Sequence, residues 1–227
     1  MRSAETAPRG TLGRRLALVA LLAATLAGCA SAPEAPKPAP APAVAPPASG
    51  PAEKPLIPDL PPAVINNFEA ALKALQDGRL DDARTGFEAL TRSNPDLGGP
   101  HANLGIVYRR ADKLDQAVSE LERAVQCNPK QPVFWNQLGI AYRMQGQFAK
   151  AKDAYEHALA IDPGYPEPNL NLAILFDLYL WDGKRALELY DRYLALTPGG
   201  DAKVAKWVAD LKNRNRQAAA ADHKEKE

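Results

Sequence analysis

Three columns of side chains recur through the middle of the chain, and together they carry the chemistry needed to hold a peptide. Asn103, Gln137 and Asn171 form one column, Ile106, Ile140 and Ile174 the next, and Arg109, Arg143 and Asp177 the third. Within each repeat the three residues, as in Asn103, Ile106 and Arg109, are spaced by three, so they share one face of a helix. A carboxamide both donates to and accepts from a peptide backbone, isoleucine offers apolar contact, and a guanidinium holds a carboxylate through two parallel bonds. The same residues also fit a plain polar surface whose isoleucines pack only between neighbouring elements.

Groups for reaction chemistry are sparse. Between 63 and 200 the serines are Ser93 and Ser119, the histidines His101 and His157, and the cysteine Cys127. No metal-ligand spacing and no glycine-rich phosphate loop accompanies them. The expectation is a protein that is not an enzyme, with no metal, no cofactor and no small-molecule substrate. His157 falls in the column of Arg123 and Arg192, which reads as a solvated face. Cys127 falls in the column of Ile161 and Leu196 and reads as a small buried hydrophobe rather than a reactive thiol.

The elements that position these columns show in a repeat. Pro95, Pro129 and Pro163 are spaced by 34 residues and Pro198 follows after 35. Aligned on them, Leu104, Leu138 and Leu172 stack, then Gly105, Gly139 and Ala173, then Tyr108, Tyr142 and Phe176. Ala117 and Ala151 follow, and then Ala124 and Ala158. A period of this size marks stacked supersecondary units that bury a continuous core between them. The unit at 132–165 is the fullest, with Trp135, Leu138, Gly139, Tyr142, Ala151, Tyr155, Ala158 and Pro163.

These residues resemble the tetratricopeptide repeat, whose unit is a pair of antiparallel helices. The resemblance covers Val64 to about Pro198 and implies an all-α fold: a right-handed α-solenoid of about four helix hairpins over 63–200, with units near 64–97, 98–131, 132–165 and 166–200. It also implies that the first helices line a concave groove receiving a peptide or helix, with Asn103, Ile106, Arg109, Gln137, Ile140, Arg143, Asn171 and Ile174 as its lining. The first unit departs from the pattern, with Ala70, Ala71 and Ala74 where Leu, Gly and Tyr are expected, and reads as a capping repeat. In the fourth, seven residues rather than four separate the aromatic Phe176 from Gly183, read as the turn glycine. Its first helix is therefore expected to run nearly a turn longer, through Leu178, Tyr179, Leu180 and Trp181. Asp201 is placed to cap a closing helix over 201–216 that carries Val204, Trp207, Val208 and Leu211 on one side. Residues 217–227 read as a disordered charged tail.

Upstream, Arg2, Arg9, Arg14 and Arg15 precede the apolar run Leu16 to Ala27, which is too short to span a bilayer core of roughly 30 Å. Residues 1–28 read as a signal peptide. Leu26-Ala27-Gly28-Cys29 resembles the lipobox of bacterial lipoproteins, which implies cleavage before Cys29 and its acylation; several acyl chains anchor stably where one does not. Cys127 is then left without a disulfide partner. Residues 29–62 are dominated by Ala and Pro and cannot bury enough surface to fold. As extended polyproline II they form a tether reaching about 100 Å. After cleavage the count is 24 basic against 26 acidic residues, with no basic block, so nucleic acid is excluded as a partner.

The expected role is a membrane-tethered periplasmic scaffold that holds an envelope protein in its groove. Without an aspartate after Cys29, the anchor is expected in the outer membrane of a Gram-negative cell, facing the periplasm. By architecture the chain is similar to secretin pilotins, to outer-membrane assembly accessory proteins and to tetratricopeptide components linked to TonB-type systems, and it leans to the last on the segment Asn169 to Arg214. The rival expectation is a regulatory subunit that recruits an envelope enzyme such as a peptidoglycan hydrolase.

Overall fold

The computed structural model describes residues 60–224, with side chains to 221. The expected signal peptide, Cys29, almost all of the Ala/Pro segment and the last three residues lie outside them. Every element among the described residues is a helix: α1 (Pro62–Gln76), α2 (Leu80–Ser93), α3 (Gly98–Arg110), α4 (Leu114–Cys127), α5 (Pro132–Met144), α6 (Phe148–Ile161), α7 (Pro166–Leu178), α8 (Gly183–Leu196) and α9 (Ala202–Lys224).

Local chemistry sets these boundaries. Proline stands in the first turn of α1, α5 and α7, where its missing N–H costs nothing. Asp201 caps α9 as expected, its Oδ1 accepting from the backbone N–H of Lys203 at 2.9 Å and of Val204 at 3.1 Å. The turn inside each hairpin needs one residue in the left-handed region, and that residue always lies two before the second helix. Gly78 and Gly146 take it at φ 77° and 76°, Asp112 at φ 57° and Trp181 at φ 55°.

The helices pack as four antiparallel hairpins, each second helix then leaning on the next first helix, and α9 closing on α8. First helices also touch one another, α1 on α3, α3 on α5 and α5 on α7, and the second helices make no comparable contact. The stack therefore curves with its first helices inside, an α-solenoid. Close approach within a hairpin depends on small residues: a Cβ on Gly105 would lie 2.6 Å from Leu121 Cγ, and one on Gly139 2.5 Å from the Tyr155 ring. Into these gaps go the large side chains at the eighth position of each second helix, Phe87, Leu121, Tyr155 and Tyr190, all essentially without exposure.

Repeated hydrogen bonds tie unit to unit. The Tyr108 hydroxyl donates to Glu88 and that of Tyr142 to Glu122, each reaching the preceding second helix. In α3, α5 and α7 the fourth residue turns a nitrogen on the loop before it. His101 Nε2 lies 3.0 Å from the Pro95 carbonyl, Trp135 Nε1 donates to Pro129 at 2.8 Å, and Asn169 Nδ2 to Tyr165 at 3.1 Å. The Trp of the repeat pattern thus serves as a donor as well as apolar bulk.

Four expectations need correction. Helix α7 ends at Leu178 with thirteen residues, the same length as α3 and α5. The extra residue of the 35-residue unit sits in the turn Tyr179–Asp182, and Gly183 begins α8 instead of forming the turn. The reason is in the C-cap, where the N–H groups of Tyr179 and Leu180 both close back on Leu175 O. Helix α9 does not stop near 216 but continues to Lys224, through a run of alanines from Ala218 to Ala221 that favours helix. Cys127 is half-buried, with Sγ 3.6 Å from the Pro95 carbonyl, because it lies in the last turn of α4 at the hairpin's open end.

Candidate functional site: the concave face

The columns Asn103–Gln137–Asn171, Ile106–Ile140–Ile174 and Arg109–Arg143–Asp177 run across α3, α5 and α7, the helices on the inside of the curve. Their exposure falls steadily toward the C-terminal end. Asn103, Ile106, Arg109 and Ile140 are half-buried, whereas Gln137 is 6% exposed, Arg143 7%, Ile174 3% and Asn171 1%. The face is therefore open at unit two, closed at unit three except for Ile140, and closed at unit four. Of the eight residues expected to line an accessible groove, Gln137, Arg143, Asn171 and Ile174 are buried, because neighbouring helices and the turn after α7 cover them.

Hydrogen bonds divide these residues by role. Asn103 Nδ2 donates to Gly99 O of its own helix at 2.9 Å. Asn171 Nδ2 donates to Asn136 Oδ1 at 3.0 Å in a buried link between α7 and α5, so this amide is committed to the fold. Arg109 Nη2 donates to Gln137 Oε1 at 3.2 Å, which fixes the carboxamide and leaves the guanidinium's remaining donors free. Arg143 lies over the Tyr179 ring, 6.0 Å from its centroid, and that ring packs in turn on Phe148. Asp177 departs from the arginine column and is engaged: Tyr190 donates to its Oδ2 at 3.4 Å and Arg214 Nη2 to its Oδ1 at 2.8 Å.

Burial holds the Arg109 guanidinium below the usual arginine range, with repulsion from Arg110 and Arg143 adding to it. The buried Tyr155 hydroxyl is held above the usual phenol range, and Arg143 and Arg109, in that order, pull against that shift. Arg143 of α5 and Arg109 of α3 thus both act on the Tyr155 hydroxyl of α6. Tyr155 was read from sequence only as a packing residue. A signal was available: its column holds Phe87 and Leu121 in the first two units, and a hydroxyl adds nothing to packing.

The groups set aside for reaction chemistry are dispersed. His101 is buried between Glu120, 2.6 Å from its Nδ1, and Pro95 O, and holds α3 to α4. His157 is exposed and stacks on Trp135 with centroids 4.6 Å apart. Among the described residues, no three His, Cys, Asp or Glu side chains gather as a metal site, and no helix is long and apolar enough to cross a membrane.

Comparison with known proteins agrees with this geometry. Tetratricopeptide repeat models match residues 68–132 and 132–165. Among solved structures, pilF of Pseudomonas aeruginosa is 21% identical, with 71% of this chain and 72% of that one covered at a TM-score of 0.63. A thermophilic tetratricopeptide repeat protein of Thermus thermophilus is 25% identical, covering 65% of this chain and 80% of its own at 0.57. YrrB, described as a tetratricopeptide repeat protein with an unusual peptide-binding site, is 22% identical, covering 65% and 75% at 0.56. Comparison with proteins of curated function finds no match in sequence. In sequence and in fold, the stretch from 68 to 165 is made of tetratricopeptide repeats.

Proposed function

We propose that this chain is an adaptor of the Gram-negative envelope, held at the outer membrane by acylated Cys29, whose concave face captures a peptide or helix of a partner protein. The observation that carries the reading is the uneven closure of that face. Asn103, Ile106, Arg109 and Ile140 stay accessible on α3 and α5, at the positions where a stacked-helix groove meets a ligand. The tie to a membrane rests on the residues before and at Cys29 alone. The peptide-binding site described for the similarly folded YrrB supports the groove by analogy of fold.

The test takes the full chain in cells, beside Cys29→Ser and beside the pair Asn103→Ala with Ile106→Ala. Palmitate labelling should vanish with Cys29→Ser; persistence at the original level removes the lipoprotein claim. Crosslinking in intact envelopes should recover a partner protein with the unmodified chain. Recovery should fall by roughly ten-fold or more with the groove pair, since two contacts of about 1 kcal/mol each are lost. If a folded groove pair recovers the same partner in the same yield, the concave face is not the binding surface.

A further inference from the structure

One hydrogen bond recurs between units and then stops. The ninth residue of α2, α4 and α6 is a glutamate, Glu88, Glu122 and Glu156, and the eleventh of α3, α5 and α7 is Tyr108, Tyr142 and Phe176. The first two pairs are joined, each hydroxyl donating to the carboxylate of the preceding unit. Phe176 has no hydroxyl to give, so Glu156 keeps only Lys152, 3.3 Å from its Oε2. A second group is missing as well. In unit three the Trp135 indole stacks on His157; the corresponding residues of unit four are Asn169 and Arg192, so no indole covers that cation. Here a cavity of about 380 Å³ opens between α6 and α8, with Leu172, Phe176 and Leu189 as its apolar lining and Glu156, Glu188 and Arg192 as polar lining. Arg185, also in its wall, is committed: it pairs with Asp182 and lies over the Phe176 ring as Lys150 lies over that of Tyr142.

An excess stands beside this deficit. The extra residue of the fourth unit puts Trp181 in the left-handed position that Gly78, Asp112 and Gly146 hold in the other turns. A bulky side chain is strained there, and this one is 80% exposed, with Leu180 exposed beside it. Strain that no packing within the chain offsets points to a contact outside it. Trp181 stands four residues before Arg185, the first residue of α8 in the cavity wall, and Lys184 between them is exposed. A protruding indole and a cavity short of one thus share the stretch from Trp181 to Arg192.

We propose that two copies of this chain pair through unit four, the Trp181 indole of each entering the cavity between α6 and α8 of the other. The indole N–H supplies the donor that Phe176 withholds from Glu156, and the ring covers Arg192 as Trp135 covers His157. Lys184, carried in with the indole, meets Glu188, which is exposed and forms no ion pair among the described residues. The occupant is a second copy because both halves of the contact are present in one chain. A knob and a hole on the same surface suit a two-fold contact, in which each copy gives what the other receives, and such a contact closes at two. Two indoles bury roughly 150–250 Å² each, less than a permanent dimer needs, so the pairing is concentration-dependent. It uses no residue of the concave face and stands or falls apart from the reading proposed above.

The test is sedimentation equilibrium of the full chain in density-matched detergent, which should show monomer and dimer exchanging with concentration. Trp181→Gly should raise the dissociation constant roughly ten-fold or more, as loss of a buried aromatic anchor does. Where the chain is single, the same variant only relieves backbone strain. Phe176→Tyr returns to Glu156 the donor that the other units carry, and should raise the constant several-fold with helical circular dichroism unchanged. A benzophenone side chain in place of Trp181, photolysed in intact cells, should give a covalent dimer whose crosslinked peptide lies in α6, α7 or α8 of the second copy. A monomer at every concentration overturns the pairing, as does a dissociation constant that either variant leaves unchanged. So does a benzophenone adduct found on lipid or on a different protein and never on a second copy.

Discussion

Units three and four bury a tyrosine at one position of the second helix and a charged side chain at one position of the first, yet the two pairs sit in opposite states. In unit four, Tyr190, Asp177 and Arg214 satisfy one another, and α9 contributes the third member. In unit three, the Tyr155 hydroxyl and the Arg143 Nε are buried without a hydrogen-bond partner. The difference follows from position in the stack. The last repeat has no successor, so a closing helix covers it and its polar column becomes structural. An inner repeat has its neighbours already, and in unit three the same column carries Arg143 with no carboxylate paired to it among the described residues.

The largest effect should come from the close approach on which unit three depends. Gly139→Leu puts carbon where the Tyr155 ring already lies within 2.5 Å. It should destabilise the domain by about 3 kcal/mol, seen as a lower melting temperature by circular dichroism. An unchanged melting temperature would mean that the α5–α6 hairpin is packed differently. Arg214→Ala should come next, at about 2 kcal/mol, because it strands a buried Asp177 carboxylate. Arg143→Gln strands no carboxylate, and its urea midpoint should move much less. Equal losses for the two variants would erase the distinction between the units.

Alkaline pH probes the buried tyrosines together. Burial pushes Tyr165 up to about 12, and Tyr155 and Tyr190 shift the same way. The unfolded chain releases these protons near pH 10, while the folded chain keeps them. This contribution to stability is therefore whole below about pH 10 and is lost as the pH rises through about 12. Urea midpoints should fall across that window, with tyrosinate absorbance lagging until unfolding. Early tyrosinate absorbance in the folded protein would count against the burial.

A smaller effect, of opposite sign, belongs to the added turn residue. Trp181 holds φ 55° at 80% exposure, so it bears left-handed strain with almost no packing in return. Trp181→Gly should raise stability by about 1 kcal/mol in thermal melts. A loss of stability would show that the indole makes a contact in solution that the exposure does not reveal.

Much of this architecture was legible in the sequence, because a solenoid repeats its packing and so repeats its residues. The prolines near each unit's end, the Gly105 and Gly139 crossings and the Asp201 cap each follow from one residue and one local rule. What was missed depends on three-dimensional context. The longer fourth unit looked like a longer helix, since counting from Phe176 to Gly183 cannot tell an added helical residue from an added turn residue. The carbonyl of Leu175, taken by two N–H groups, decides that. The groove columns were found, but not their burial gradient, because exposure of a column depends on which helix closes the stack. Tyr155 matched the repeat pattern too well to stand out, and its hydroxyl became informative only once its neighbours proved to lack a partner for it.

The central claim is that the buried Tyr190 hydroxyl is held by a carboxylate within the fold, whereas the buried Tyr155 hydroxyl has no such acceptor. Urea unfolding of Tyr155→Phe and Tyr190→Phe, measured side by side, tests it most directly. Tyr190→Phe removes a donor from Asp177 and should cost about 1 kcal/mol. Tyr155→Phe removes a group with no partner and should leave stability unchanged or raise it by up to about 1 kcal/mol. Opposite or clearly unequal changes support the account; equal destabilisation by both variants contradicts it.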